Sequence, residues 1–402
     1  MSSHPHSISK RRAMRDIAKH FGLLGCTAFG GPAAHLGFFH ERFVQRLRWL
    51  SDEQYAAFVA LCQLLPGPAS SQVGLLIGYT RGGHLGALTA WLCFTLPSAV
   101  LMTLFALSLH ELHWPPAALQ GLKIAALAVV AQALWGMARS LCPDNPRRVM
   151  ATLSTACLLT LPGVWSQALV MLLGGLAMAV LKRHAVHATT TAKAHSGWGQ
   201  GWWLALALGV AGSALWAWLS PEVWHQQTAA LLRIGASVFG GGHVVLPMLH
   251  AEFVDTGWVD GERFQAAYGA AQALPGPLFT FAAFLGASAS PGLQGWSGAT
   301  LATVAIFLPS YALVMGGLPL WSALQRAPRV GAAIAGVNAA VVGVLAATWL
   351  HPMLGQSIHS ASDALLAMAA AWALVARRVH PLIVIATCVL LRWGFSTLAI
   401  QA

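Results

Sequence analysis

The residues best suited to chemistry in this chain are glycines and prolines that interrupt apolar sequence at two matching places. The first stretch reads Phe29-Gly30-Gly31-Pro32, then His40, Phe43-Val44, Trp49, Glu53, Gln63 and Pro66-Gly67-Pro68. About 210 residues later the chain reads Phe239-Gly240-Gly241-Gly242, then His250, Phe253-Val254, Trp258, Glu262, Gln272 and Pro275-Gly276-Pro277. Proline lacks a backbone N–H and suits a first helical turn, while glycine permits positive φ and close backbone approach. Each break is therefore expected to end one half-helix and start another. The new N-terminus offers unpaired N–H donors and the positive end of a helix dipole, which together suit an anion. Four breaks converging at mid-membrane would bind an anion with few full charges. The plainer alternative is that the small residues allow tight helix packing. Interrupted apolar segments at matching places in two repeats favour a transporter's binding site.

Polar side chains flank the breaks. Gln63 and Gln272 occupy matched positions, with Ser70, Ser71 and Gln72 near the first pair of breaks and Thr280 near the second. They could donate hydrogen bonds to a bound oxyanion, or hydrogen-bond between helices. Lys123 lies inside an apolar segment, where a charge costs roughly 2.5–3.5 kcal/mol on insertion scales. A dianion is a natural partner for it, and snorkelling to the interface is the alternative. Its repeat match is Asn338, since Gly121-Leu122-Lys123 aligns with Gly336-Val337-Asn338. His35 and His243 sit on the broken segments and are candidates for proton or substrate contact. The matched His40 and His250 lie beside charged loops at the membrane edge. Glu41, Glu53, Glu252 and Glu262 read as interfacial caps or salt-bridge partners.

The elements that position these residues follow from composition. Of 402 residues, 57% are hydrophobic and 9% charged, against roughly 25% charged in a soluble domain. The chain is an integral membrane protein. Its long apolar runs match helices of about 20 residues and do not alternate like the strands of an outer-membrane barrel. Such segments fall at 17–44, 54–80, 85–109, 117–141, 149–161, 164–181, 202–219, 226–250, 263–287, 296–318, 330–350, 361–376 and 380–400. The fold class expected is all-α: a polytopic inner-membrane bundle with two inverted repeats and broken or re-entrant hairpin helices. The first repeat occupies 1–181, a linker and spacer helix 182–225, and the second repeat 226–402.

Loop charges predict the inversion. Loop 41–53 holds Arg42, Arg46 and Arg48, while its match at 251–263 holds Glu252, Asp255, Asp260 and Glu262, with Arg263 alone. Loop 139–148 holds Arg139, Arg147 and Arg148, while its match has only Asp363. The bias inverts, so by the positive-inside rule the two halves face opposite ways, with a cytoplasmic N-terminus. Basic loops on both sides of segments 17–44 and 54–80 favour segments that enter the membrane and return, the alternative being full spans kinked at proline. Non-helical backbone at that depth survives only where protein or a water-filled cavity covers it.

Several function classes are disfavoured. The net charge of +11 sits in loops and tails, and no soluble stretch is long enough to bind nucleic acid. No phosphate loop, zinc-protease spacing or dinucleotide fingerprint occurs, and there is no Cys-x-x-Cys pair. No cofactor or metal is called for, and the chain does not read as an enzyme.

The combined pattern resembles the chromate ion transporter family in its long form with two fused homologous halves. The residues that carry the resemblance are Phe29 to His35, Leu64-Leu65-Pro66-Gly67-Pro68, Gly121-Leu122-Lys123, Phe239 to Gly242, Pro275-Gly276-Pro277, Phe307-Leu308-Pro309-Ser310 and Gly336 to Val342. Together they cover roughly 20–350. Ile124 departs from the pattern, which has proline after Gly-Leu-Lys. The resemblance implies a bacterial inner-membrane exporter of chromate that confers chromate resistance, with sulfate as competitor and the membrane gradient as driving force. Besides chromate and the lipid bilayer, a second copy of the chain in a homodimer is a partner to consider. A sulfate or other oxyanion transporter, or an anion channel on the same scaffold, is the alternative.

Overall fold

The structure is a computed structural model that describes residues 10–112, 114–161, 163–181, 199–239, 242–325 and 328–401. Gly240, Gly241 and most of the linker lie outside them. The described residues form helices and loops with no strand, so the chain is an all-α polytopic membrane protein. Four helical stretches among them are long and apolar enough to cross a membrane: Ala69–Leu109, Pro116–Leu141, Gly295–Leu318 and Val330–Ser357.

The elements recur in the same order in two runs. The first comprises α1 (Lys10–Thr27), α2 (Gly31–Phe39), α3 (Asp52–Leu64), α4 (Ala69–Glu111), α5 (Pro116–Leu141), α6 (Asn145–Thr160) and α7 (Val164–Leu181). Then comes α8 (Gly199–Leu219), which has no counterpart. The second run comprises α9 (Val223–Ser237), α10 (Val245–Phe253), α11 (Gly261–Gln272), α12 (Phe281–Ser288), α13 (Gly295–Gln325), α14 (Pro328–Thr348), the single turn α15 (Leu354–Ser357), α16 (Ala361–Val375) and α17 (Pro381–Gln401). Matched helices start with matched caps. The Ser51 hydroxyl accepts from the Gln54 amide at α3, and the Asp260 carboxylate accepts from the Arg263 amide at α11.

The first of the long stretches is two helices. At 1.5 Å per residue a straight helix of its length would be about 60 Å long, twice the hydrocarbon core. The chain turns back where Gly82 and Gly83 leave helical φ/ψ. A Cβ placed on Gly78 would lie 2.4 Å from the carbonyl oxygen of Gly86, although those residues would be about 12 Å apart along a straight helix. The two arms of α4 thus correspond to the separate helices α12 and α13, where Gly286 meets Gly298 in the same way.

Each pair of short helices returns to the side it left. The Arg81 guanidinium lies 4.9 Å from the centre of the Trp49 ring, so the loops before α3 and after the first arm of α4 are neighbours. In the second run the Ser290 amide donates to the Trp258 carbonyl at 2.9 Å. A full crossing would hold such loops about 30 Å apart.

The two runs interlock. Helix α5 packs against α16 and α17, while α14 packs against α6 and α7. Matched glycines permit both contacts. A Cβ on Gly121 would lie 2.6 Å from Val389 Cα, and one on Gly336 would lie 2.1 Å from the Gly174 oxygen. Helix α5 runs unbroken through Lys123 and Ile124, as expected where no proline follows the lysine.

Candidate functional site

The four breaks meet. The Gly67 amide donates to the Val238 carbonyl at 2.6 Å, and the Gly276 amide donates to the Ala28 carbonyl at 2.9 Å. Each bond joins the Pro-Gly-Pro break of one run to the helix end just before the glycine-rich break of the other. Gly67 and Gly276 hold φ of 114° and 96°, which side chains rarely adopt. A Cβ on Gly67 would fall 2.8 Å from Ser310 Oγ, and one on Gly276 would fall 2.7 Å from Ser98 Oγ. The two pairs then touch each other: a Cβ on Gly242 would lie 3.3 Å from both Pro32 Cγ and Leu278 Cβ.

Helices start at these points. Gly30, left-handed at φ 97°, precedes α2, with Pro32 in its first turn. Short 3-10 turns at Gly242–Val244 and Leu278–Thr280 lead into α10 and α12, and Pro68 precedes α4. Three of these four starts border a cavity of about 830 Å³, through Gly30, Gly31, His243, Gly276 and Leu278. Its volume holds a small ion with several waters, each needing about 30 Å³.

The rest of the cavity wall comes from the C-terminal half of α5, the end of α11 and the segment from the end of α16 to the start of α17. Helix α5 is buried without interruption from Gln120 to Val130, whereas Gln132 to Leu141 are half-buried or exposed. The cavity therefore opens at one end of α5 and is closed by packing at the other. Arg139 and Arg378 line it, and among the described residues no carboxylate does. In the wall the Nδ1 of His243 shares a hydrogen bond with the Tyr268 hydroxyl at 2.8 Å. Gln272 also lines the cavity, with its side chain beside the Tyr268 hydroxyl, and among the described residues its buried Nε2 meets no partner in full hydrogen-bond geometry.

The other sequence candidates lie off the cavity. His35 is buried, with Nε2 3.1 Å from the Ala28 carbonyl and Nδ1 3.4 Å from Ser70 Oγ. It braces the same carbonyl that receives the Gly276 amide. Pro66 and Pro277 offer their carbonyls to the side chains of Gln72 and Thr280. Gln63 is exposed at the end of α3. Asn338 is half-buried on α14, with an unpartnered Oδ1. Lys123 is buried and pairs with Glu262 at 3.4 Å, about 13 Å along α5 from Gln132. His40 pairs with Asp52 at 2.7 Å, and His250 with Asp255 at 3.2 Å. Both matched histidines thus sit in loop-edge ion-pair geometry.

Ser98 and Ser310, which abut the two central glycines, are not among the candidates that sequence reasoning singled out. A signal was present: Leu96-Pro97-Ser98 recurs as Leu308-Pro309-Ser310 at matching places in the two runs.

Comparison with known proteins matches the model of a family described as "Chromate transporter" to residues 15–180 and 225–393. The chain is 26% identical over 410 residues to a probable chromate transport protein of Synechococcus elongatus, covering 93% of each. It is 29% identical over 344 residues to a chromate transport protein of Pseudomonas aeruginosa, covering 82% of this chain and 77% of that protein. A chromate transport protein of Cupriavidus metallidurans is 25% identical over 365 residues, with 83% and 80% covered. No solved structure matches the chain.

Proposed function

Because this chain belongs to the chromate transporter family, we propose that it is a secondary transporter that moves chromate out of the cytoplasm by alternating access. The observation that carries this reading is the cavity at the helix breaks, which Arg139 and Arg378 line and, among the described residues, no carboxylate does. A dianion entering it meets cations at the mouth, then helix starts and the Gln272 amide at depth. Such donors cost little to preorganise, because backbone N–H groups at helix starts already point outward.

Direction and topology belong to the same proposal. Arg139 lines the cavity near the end of α5, with Arg147 and Arg148 following in sequence, and Arg378 lines it after α16, next in sequence to Arg377. Clustered arginines mark the cytoplasmic side, so the cavity faces the cytoplasm, as does the basic N-terminus. The acidic loops at Asp255 and Asp260 then lie outside, and the two halves are inverted repeats in a bacterial inner membrane. Outward movement of an anion is favoured by an inside-negative potential at about 2.3 kcal/mol per charge per 100 mV. For a dianion that is about 4.6 kcal/mol, which suffices for export and for chromate resistance without a coupling ion. Sulfate, a similar tetrahedral dianion, would compete.

An open channel fits less well. The N-terminal half of α5 is fully packed, and Lys123 pairs with Glu262 at that end. Counterflow separates the two readings. Proteoliposomes preloaded with chromate should accelerate entry of radiolabelled chromate, with sulfate substituting at higher concentration. Entry that is indifferent to the preload would favour a channel.

A further inference from the structure

We propose that Arg378, together with Arg139, forms a second oxyanion-binding position at the cavity mouth, which captures the dianion before it reaches the helix breaks. The proposal rests on the transport reading above for its substrate class. It stands on three observations of its own.

The first is backbone conformation. Arg378 holds φ 52° in the turn after α16, one of two non-glycine residues with positive φ among the described residues. The Val379 amide donates to the Ala373 carbonyl at 3.1 Å and closes the helix end around it. Such left-handed positions usually carry glycine or asparagine. The matched turn after α6 does so: Gly163, third beyond Thr160, has φ 138°, and Arg378 is third beyond Val375. Arginine thus stands where the turn itself would be better served by glycine. Strained residues of this kind persist where function or surroundings demand them.

The second observation is where the side chains lie. Arg378, from the turn after α16, and Arg139, from α5, line the same cavity. Among the described residues neither lies within ion-pair distance of a carboxylate. Arg139 is held over the Trp135 ring at 4.6 Å, a cation–π contact that fixes the guanidinium without neutralising it.

The third is chemistry. A planar guanidinium presents paired N–H donors that match two oxygens of a tetrahedral dianion. A charge at the rim of a site acts mainly on capture, and its effect fades with salt.

The test uses Arg378→Gly, which relieves the backbone strain while removing the charge. Chromate transport should show a KM raised several-fold at low ionic strength, with the effect on KM rather than on the maximal rate, and the difference should shrink at high salt. Thermal stability of the purified protein should hold or rise. In parallel, phenylglyoxal modification of Arg378 and Arg139 in the wild-type protein is followed by peptide mass spectrometry. Chromate or sulfate should slow modification at both arginines. An unchanged KM at low salt, or no protection by either dianion, would overturn the mouth site. If the wild-type protein moves no chromate, the transport reading fails, and protection by sulfate alone then decides whether the site exists.

Discussion

The amide of Gly67 donates to the carbonyl of Val238, and across the molecule the amide of Gly276 donates to the carbonyl of Ala28. These four residues are two matched pairs, so the chain makes one bond twice with the halves exchanged. A backbone group at membrane depth must find a partner inside the protein. Here the broken end of each half is completed by the other half. Neither hairpin pair satisfies these backbone groups alone.

The central glycines should therefore be intolerant. Gly67→Ala and Gly276→Ala each force a side chain into positive φ, at about 1–3 kcal/mol, and drive it against Ser310 or Ser98. Both variants should melt earlier in detergent and lose most transport. Gly37→Ala, with nothing within 4 Å of the new Cβ, should melt like wild type; equal losses in all three would remove the special role of the two breaks.

Gln272 should matter from the cytoplasmic side. A hydrogen bond to a charged group is worth about 1.5–3 kcal/mol, so Gln272→Ala should weaken cytoplasmic chromate binding about tenfold or more. Gln63→Ala removes a residue outside the cavity and should leave cytoplasmic-side KM near wild type. Initial-rate measurements in everted vesicles compare them, and equal shifts would mean that the cavity is not the binding site.

The ion pair of Lys123 and Glu262 predicts an asymmetry. The lysine side chain is 6% exposed and the carboxylate 66%, so water already screens one partner. Glu262→Gln leaves a buried cation unpaired, whereas Lys123→Met leaves an exposed carboxylate in water. The first should destabilise by about 1–2 kcal/mol and the second by less. Thermal melts check the order, and KM for chromate should stay constant in both because neither residue borders the cavity.

Access should be one-sided. In a cysteine-free background, Gly136→Cys should react with a membrane-impermeant thiol reagent in everted vesicles and resist it in right-side-out cells. Ala125→Cys, two residues from Lys123 in the packed half of α5, should resist in both. Labelling of Ala125→Cys in everted vesicles would mean that the path is continuous.

Much of the fold was legible because its signals are local. Gly30, Gly31, Pro66, Gly67, Pro68, Pro275, Gly276 and Pro277 stand at the chain breaks they predict, and Ser51 and Asp260 start the helices that follow. Loop arginines also foretold that the α3–α4 hairpin turns back, as the Arg81–Trp49 contact now records. What escaped depends on contacts between distant segments. Ser98 and Ser310 matter because each abuts a glycine from the other half. Lys123 was noticed for its charge, but its partner lies 139 positions away (262 − 123), and a buried lysine looks the same whether it awaits a ligand or a glutamate. Arg378 carries no sequence signal of its own, since its left-handed backbone is invisible in composition. Gly240 and Gly241 fall outside the described residues.

The most direct test of the central claim is chromate flux in everted membrane vesicles under an imposed potential, with sulfate present or absent. The account predicts uptake that grows with an interior-positive potential, saturates with chromate and is inhibited by sulfate. Sulfate uptake without any chromate uptake, or chromate flux that ignores the potential, would contradict it.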